Sequence, residues 1–146
     1  MRTFSTTISF RPPLTKRAES VLEAHRGEFV TSFAALEEAV YVTLRKLISD
    51  RRGIKNRYDV KRFLKSDEGK ALIREAFTSV LSLVFQFNIK LIDDVSSPGL
   101  VELYAVTYGL MPKDAQILAT CAVNGVKGIA TFDEDFRDID EVEIVP

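Results

Sequence analysis

The sequence predicts an α/β domain whose central parallel sheet is covered by helices on both faces, and three observations carry that expectation. Short aliphatic or β-branched segments alternate with amphipathic helical patterns along the chain, and strands separated by helices form parallel sheets buried on both sides. The stretch Pro112 to Phe136, PKDAQILATCAVNGVKGIATFDEDF, reads as a helix, a tight turn, a buried strand and an acidic turn, which is one full unit of such a fold. No internal repeat, low-complexity segment or long linker interrupts the 146 residues. A single domain over 1–146 is therefore expected, large enough to bury about two thirds of the surface its unfolded chain would expose.

Met1 to Phe10 is rich in Thr, Phe and Ile and predicts a short first strand. Pro12-Pro13 opens a helix, LTKRAESVLEAHR, with Leu14, Ala18, Val21 and Leu22 on one face and Gly27 at its end. Glu28 to Thr31 predicts a second strand, and the Ser32 hydroxyl suits the N-cap of the long helix that follows. Along that helix Phe33, Leu36, Val40, Leu44 and Leu47 form the expected buried stripe. Gly53 breaks the pattern, and IKNRYDVKRFLKS predicts a short basic helix.

Ser66 and Asp67 are placed to cap EGKALIREAFTSVLSLVFQF, a helix apolar enough to be largely buried or to face a dimer partner. On it Phe77, Val80, Leu81, Val84 and Phe85 are expected in the core. Asn88 to Ile92 predicts another buried strand, followed by Asp93 and Asp94 as a turn or helix-capping pair. GLVELYAVTYG then gives a helix ending at Gly109. The helix of the organising stretch runs roughly 112 to 124. Pro112 suits the first helical position because it has no amide hydrogen to satisfy, and Gly125 suits the left-handed residue that stops a helix. Asp114, Ile117, Leu118 and Cys121 share one face at the i, i+3, i+4, i+7 spacing, so a carboxylate stands on the inward stripe. The strand GVKGIATF follows, and EVEIVP closes the chain as an edge strand.

Composition narrows the function. Hydrophobic content of 46% and charged content of 28% are ordinary for a globular protein. The longest apolar run, VLSLVFQFNIKLI, contains Gln86, Asn88 and Lys90 and cannot serve as a bilayer span, while the first residues lack a signal-peptide pattern, so a cytoplasmic protein is expected. Cys121 has no partner for an internal disulfide and reads as a small core residue. His25 is the sole histidine and lies at the end of the first predicted helix, so Ser-His-Asp, Cys-His and His-rich zinc chemistry find no support. Neither GxGxxG nor GxxxxGK[ST] occurs. The net charge of −1 conceals an asymmetry: nine Lys or Arg lie between Arg45 and Lys65 against Asp50 and Asp59, and seven acids lie between Asp133 and Glu143 against Arg137. A basic patch of this kind is the footprint of a phosphate backbone or a solvated helix end.

Asp133 and Asp135 sit just past a predicted strand, where open α/β sheets bind their ligands. Singly, each acid has an ordinary structural reading. Asp114, at about the third helical position, is favoured by the positive end of the helix, and the other two suit a solvated turn. Jointly they match a pattern. KDAQILATCAVNGVKGIATFDEDF closely resembles the C-terminal half of PIN domains, the fold of VapC-type toxin ribonucleases, in which a helix opening with Asp-Ala leads through a Gly turn to an aliphatic strand ending Thr-x-Asp-x-x-Phe. Asp114-Ala115 fits the start, and Thr131, Asp133 and Phe136 fit the end without a gap.

The resemblance implies a PIN-like three-layer α/β/α fold and a metal-dependent endoribonuclease, the toxin of a VapBC-type toxin-antitoxin pair. It implies Mg²⁺ or Mn²⁺ held by Glu38, Asp114 and Asp133, with Asp135 as an auxiliary ligand and Thr131 or Ser5 positioning a water. Glu38, followed by Ala39-Val40-Tyr41, matches the family's Glu-aliphatic-x-aromatic run, whereas Glu37 lies nearer the centre of the apolar stripe; Glu38 is the choice here. Phe4, Ser5, Thr6 and Thr7 stand where the family has a strand end followed by Asp-Thr-Asn, so Ser5 puts a neutral hydroxyl in place of the first carboxylate. Either this copy is weakened or its opening residues are an altered version of the usual ones. The same resemblance implies an RNA substrate whose backbone the 45–65 cations could track, a small VapB-like antitoxin and a homodimer. The alternative is a catalytically impaired PIN-fold module that binds RNA or protein. A response-regulator-like domain would also gather acids at strand ends, but it requires a Lys ending a later strand, which this sequence does not offer.

Overall fold

The computed structural model describes residues 4–6, 16–126, 128–130 and 143–145. The elements run β1 (Phe4–Thr6), α1 (Lys16–Ala24), β2 (Phe29–Ser32), α2 (Phe33–Arg52), α3 (Arg57–Phe63), α4 (Asp67–Gln86), β3 (Lys90–Ile92), α5 (Pro98–Tyr108), α6 (Pro112–Val123), β4 (Gly128–Ala130) and β5 (Glu143–Val145). The strands form one sheet in the order β3-β2-β1-β4-β5, and every pairing is parallel. Ser5 lies opposite Val30 on one side and Ile129 on the other, so β1 is the central strand. From β1 the chain builds outward through β2 and β3, then restarts on the other side with β4 and β5. The switch point therefore falls between β1 and β4.

The layers follow from two adjacent residues of β2. Phe29 packs with Leu22 of α1 and with Leu83, Val84, Phe87 and Ile89 in and after α4. Val30 packs with Leu110, Ala115, Leu118, Cys121 and Val126 around α6, with α5 against them. Successive strand residues point to opposite faces, so α1 and α4 cover one face and α5 and α6 the other. This is the three-layer α/β/α fold with a central parallel sheet. Among the described residues, no helix is long and apolar enough to cross a membrane.

The helix ends follow their sequence signals. The Ser32 hydroxyl accepts from the Ala35 amide at 3.2 Å, Ser66 accepts from Gly69, and Ser97 accepts from Leu100. Gly125 has φ +67°, the left-handed turn expected after Asn124.

Three expectations about burial are corrected. Phe33 is 55% exposed, because the first turn of α2 turns Ala34 and Ala35 inward against Ile117 of α6, an approach that only small side chains allow. On α4 the buried line is Gly69, Leu72, Ala76 and Val80, with Val84 half-buried, so Val80 and Val84 lie inward as expected while Phe77, Leu81 and Phe85, one position off that line, are exposed. The strand expected to be buried, β3, lies at the edge of the sheet, and Leu91 is correspondingly exposed.

Candidate metal and nuclease site

The carboxyl edge of the sheet receives the starts of α2 and α6, the helices that carry two of the candidate acids. Chain leaves β2 at Ser32 and enters α2 at the next residue, so the first turns of α2, with Glu37 and Glu38, stand at that edge. A helix joined to a parallel strand by a short turn runs antiparallel to it, so α6, which leads through Asn124-Gly125 toward β4, also begins at the carboxyl edge. Pro112 occupies the first position of α6 and Met111 supplies no side-chain cap, so Asp114 is the acid of the first turn. It is half-buried, while Ile117, Leu118 and Cys121 on the same face are fully buried.

Three contacts fix α2 and α6 beside each other. Ala34, Ala35 and Ile117 make an apolar seam. Lys113, in the first turn of α6, pairs at 3.2 Å with Glu37, in the second turn of α2. The Asp94 carboxylate, on the loop after β3, accepts from the Ala34 amide at 3.1 Å, and that loop is tied in turn to α6. There the Val95 amide donates to the Thr120 hydroxyl at 3.1 Å and Gln116 donates to the Val95 carbonyl at 3.2 Å. Glu38 and Asp114 are the next residues along each helix from the Lys113–Glu37 pair.

The two neighbouring glutamates have different surroundings. Glu37 is 57% exposed at its side chain and spends its charge on Lys113. Glu38 is half-buried, and its Oε2 is closed off from solvent. Ser5 lies in β1 at the switch point, the place where open α/β sheets receive ligands. Asp133, Asp135 and Thr131 lie outside the described residues. Among the described residues, no group of three or more His, Cys, Asp and Glu side chains could hold a metal ion. Of the four carboxylates named from sequence, the described structure thus brings Glu38 and Asp114 to one edge.

Those two offer only oxygen. A hard divalent cation such as Mg²⁺ or Mn²⁺ prefers such donors and needs as few as one or two carboxylates, so the residues present fit it, whereas a thiolate- or imidazole-seeking metal would find no ligand here. Sequence reasoning missed the roles of Lys113 and of Asp94 toward Ala34. Both join residues at least 60 positions apart, and no local pattern announces them.

A comparison with curated proteins gives no match. A family model described as PIN domain matches residues 4–142, nearly the whole chain.

Proposed function

The chain belongs to the PIN domain family, whose members are generally nucleases, and from that premise we propose that it is a metal-dependent endoribonuclease acting as the toxin of a VapBC-type pair. PIN nucleases generally use divalent metal ions and bind RNA. The observation that carries the reading is the meeting of α2 and α6 at the carboxyl edge, with Glu38 sheltered and Asp114 one residue from the Lys113–Glu37 clamp. Glu38, Asp114 and Asp133 would hold Mg²⁺ or Mn²⁺, with Asp135 as an auxiliary ligand. When bound, that cation neutralises phosphate charge, acidifies water and stabilises a leaving oxygen. The protein's own part is to hold the carboxylates close together, where a cation offsets their mutual repulsion. Ser5 or Thr131 would orient the attacking water by hydrogen bonding.

An apolar cleft of about 790 Å³, lined by Val95, Pro98, Val101, Ala105 and Pro112, opens beside Lys113. A segment of a small VapB-like antitoxin seated there would cover the approach to Asp114. For the homodimer, the supporting feature is α5, which buries none of its residues and leaves Leu103 and Val106 at 59% and 77% exposure. A cytoplasmic location, where RNA and an antitoxin would be met, belongs to the same reading.

A second reading has its own support. Ser5 occupies the central strand, and a neutral hydroxyl there withholds one negative charge from a cation. On that reading the chain is a PIN-fold module that binds RNA or protein and cleaves poorly.

Cleavage of a structured RNA with Mg²⁺ or Mn²⁺, and with a chelator, tests both. The nuclease reading expects activity that the chelator abolishes and that Asp114→Asn lowers at least about a hundredfold, the scale of losing a metal-centred contribution. Full activity in Asp114→Asn would remove the site. Activity that appears only in Ser5→Asp would establish the impaired module instead.

A further inference from the structure

The nine cations between Arg45 and Lys65 divide into two sets with different work. Arg51 grips Glu75 through two hydrogen bonds of 2.7 and 2.6 Å, Arg52 grips Glu68 in the same two-pronged way, and Lys46 pairs with Asp50 at 3.0 Å. Arg45 donates to the Lys55 carbonyl at 2.9 Å. The two bidentate arginines fasten α2 to α4, so their charge is already spent. The other five, Lys55, Arg57, Lys61, Arg62 and Lys65, are exposed, and none has an acid within ion-pair reach among the described residues.

These five flank an exposed aromatic along the chain. Tyr58 is 78% exposed. Tyr58, Lys61 and Arg62 follow the i, i+3, i+4 spacing of one face of α3, and Lys65 lies in the turn just past its end. Val60, on the opposite side, is buried against Ile48 and Leu72. The face is also firmly mounted. Asn56 caps α3 by accepting from the Tyr58 amide at 2.8 Å, and Gly69 brings α4 so near the end of α3 that a Cβ there would collide with the Phe63 carbonyl. An exposed aromatic ring carried on an anchored helix with cations along the same segment is the combination that stacks bases while gripping phosphates.

We propose that the outer face of α3 is an RNA-binding platform separate from the acids, with Lys61, Arg62 and Lys65 on backbone phosphates and Tyr58 stacked on an unpaired base. An acidic protein would satisfy the cations but leave the tyrosine without a role. The choice of RNA rests on the ribonuclease reading; the binding itself does not require the acids.

The test is binding of a labelled RNA stem-loop to the full chain by fluorescence anisotropy, in chelator without divalent ions, over a range of salt. The variant Lys61→Gln/Arg62→Gln/Lys65→Gln is expected to lower the slope of log affinity against log salt by about 2 and to weaken binding about a hundredfold near 0.1 M salt, at ~0.7 per phosphate lost. Tyr58→Leu is expected to weaken binding about tenfold, and Tyr58→Phe to leave it near wild type. An unchanged slope in the triple variant overturns the platform. So does polyglutamate bound as tightly as RNA with no response to Tyr58→Leu, which would assign the face to an acidic protein. Because no cleavage is read, failure here is distinct from failure of the nuclease site, which the Asp114→Asn assay judges by itself.

Discussion

The Asp94 carboxylate accepts a hydrogen bond from the Ala34 amide at 3.1 Å, while the Ser32 hydroxyl accepts from Ala35 at 3.2 Å. Two of the free amides at the start of α2 are therefore satisfied, one by a local cap and one by a residue 60 positions away. Removing the distant acceptor should cost what a cap costs. Asp94→Ala is expected to destabilise the fold by about 1 kcal/mol, or ~3 °C in Tm, with Asp94→Asn losing less, as thermal unfolding followed by circular dichroism would read.

Glu37 and Glu38 are adjacent in sequence and opposite in surroundings. Since Glu37 is exposed and paired with Lys113, Glu37→Gln should leave cleavage within about threefold of wild type, an exposed pair being worth little. Glu38→Gln should lower it at least about a hundredfold. RNA cleavage rates for the two variants, measured side by side, decide between the glutamates; the reverse ranking would move the second acid to Glu37.

Gly69 stands where α4 passes the end of α3, and any Cβ would meet backbone rather than a movable side chain. Gly69→Ala should therefore cost about 2 kcal/mol or more, despite the better helix propensity of alanine. Urea denaturation checks this: a variant as stable as wild type would mean that the corner between α3 and α4 relaxes freely.

Hydrogen bonds from the Arg52 guanidinium hold the Glu68 carboxyl below the ordinary carboxylate range; desolvation opposes them, and the charges of Arg52 and Arg51 add smaller lowering effects. A lowered folded-state value means that the contribution is present above the unfolded value, about 4.3, and is lost as pH falls through the folded one. Glu68→Gln should thus melt slightly below wild type at pH 7, by no more than about two to four degrees for so exposed a pair, and the gap should close in acid below about pH 4. A gap that persists in acid would show that packing rather than charge is responsible.

Local signals were legible wherever a single residue decides a local conformation. Ser32, Ser66 and Gly125 act as caps and stop as read from sequence, and Asp114, Ile117, Leu118 and Cys121 follow the depth order of one inward face. Parallel pairing was legible too, because alternation of strand and helix leaves little other choice. Burial along α4 was not, since Phe77, Leu81 and Phe85 are as apolar as the residues that are buried, and only the position of α2 selects Leu72, Ala76 and Val80. Strand order was equally hidden: nothing in NIKLI states that it ends a sheet. At the candidate site, the acids could be named from sequence, but the clamp of Lys113 on Glu37 and the separation of the basic segment into spent and free cations required long-range contacts.

The place of β3 at the rim has a consequence for self-association. Only three residues long and bearing Lys90 beside its one well-exposed aliphatic, Leu91, it offers a newcomer few free backbone groups and an unwelcoming charge. Growth of the sheet from molecule to molecule is disfavoured on that side, and copies of this chain that meet would be expected to do so through helices.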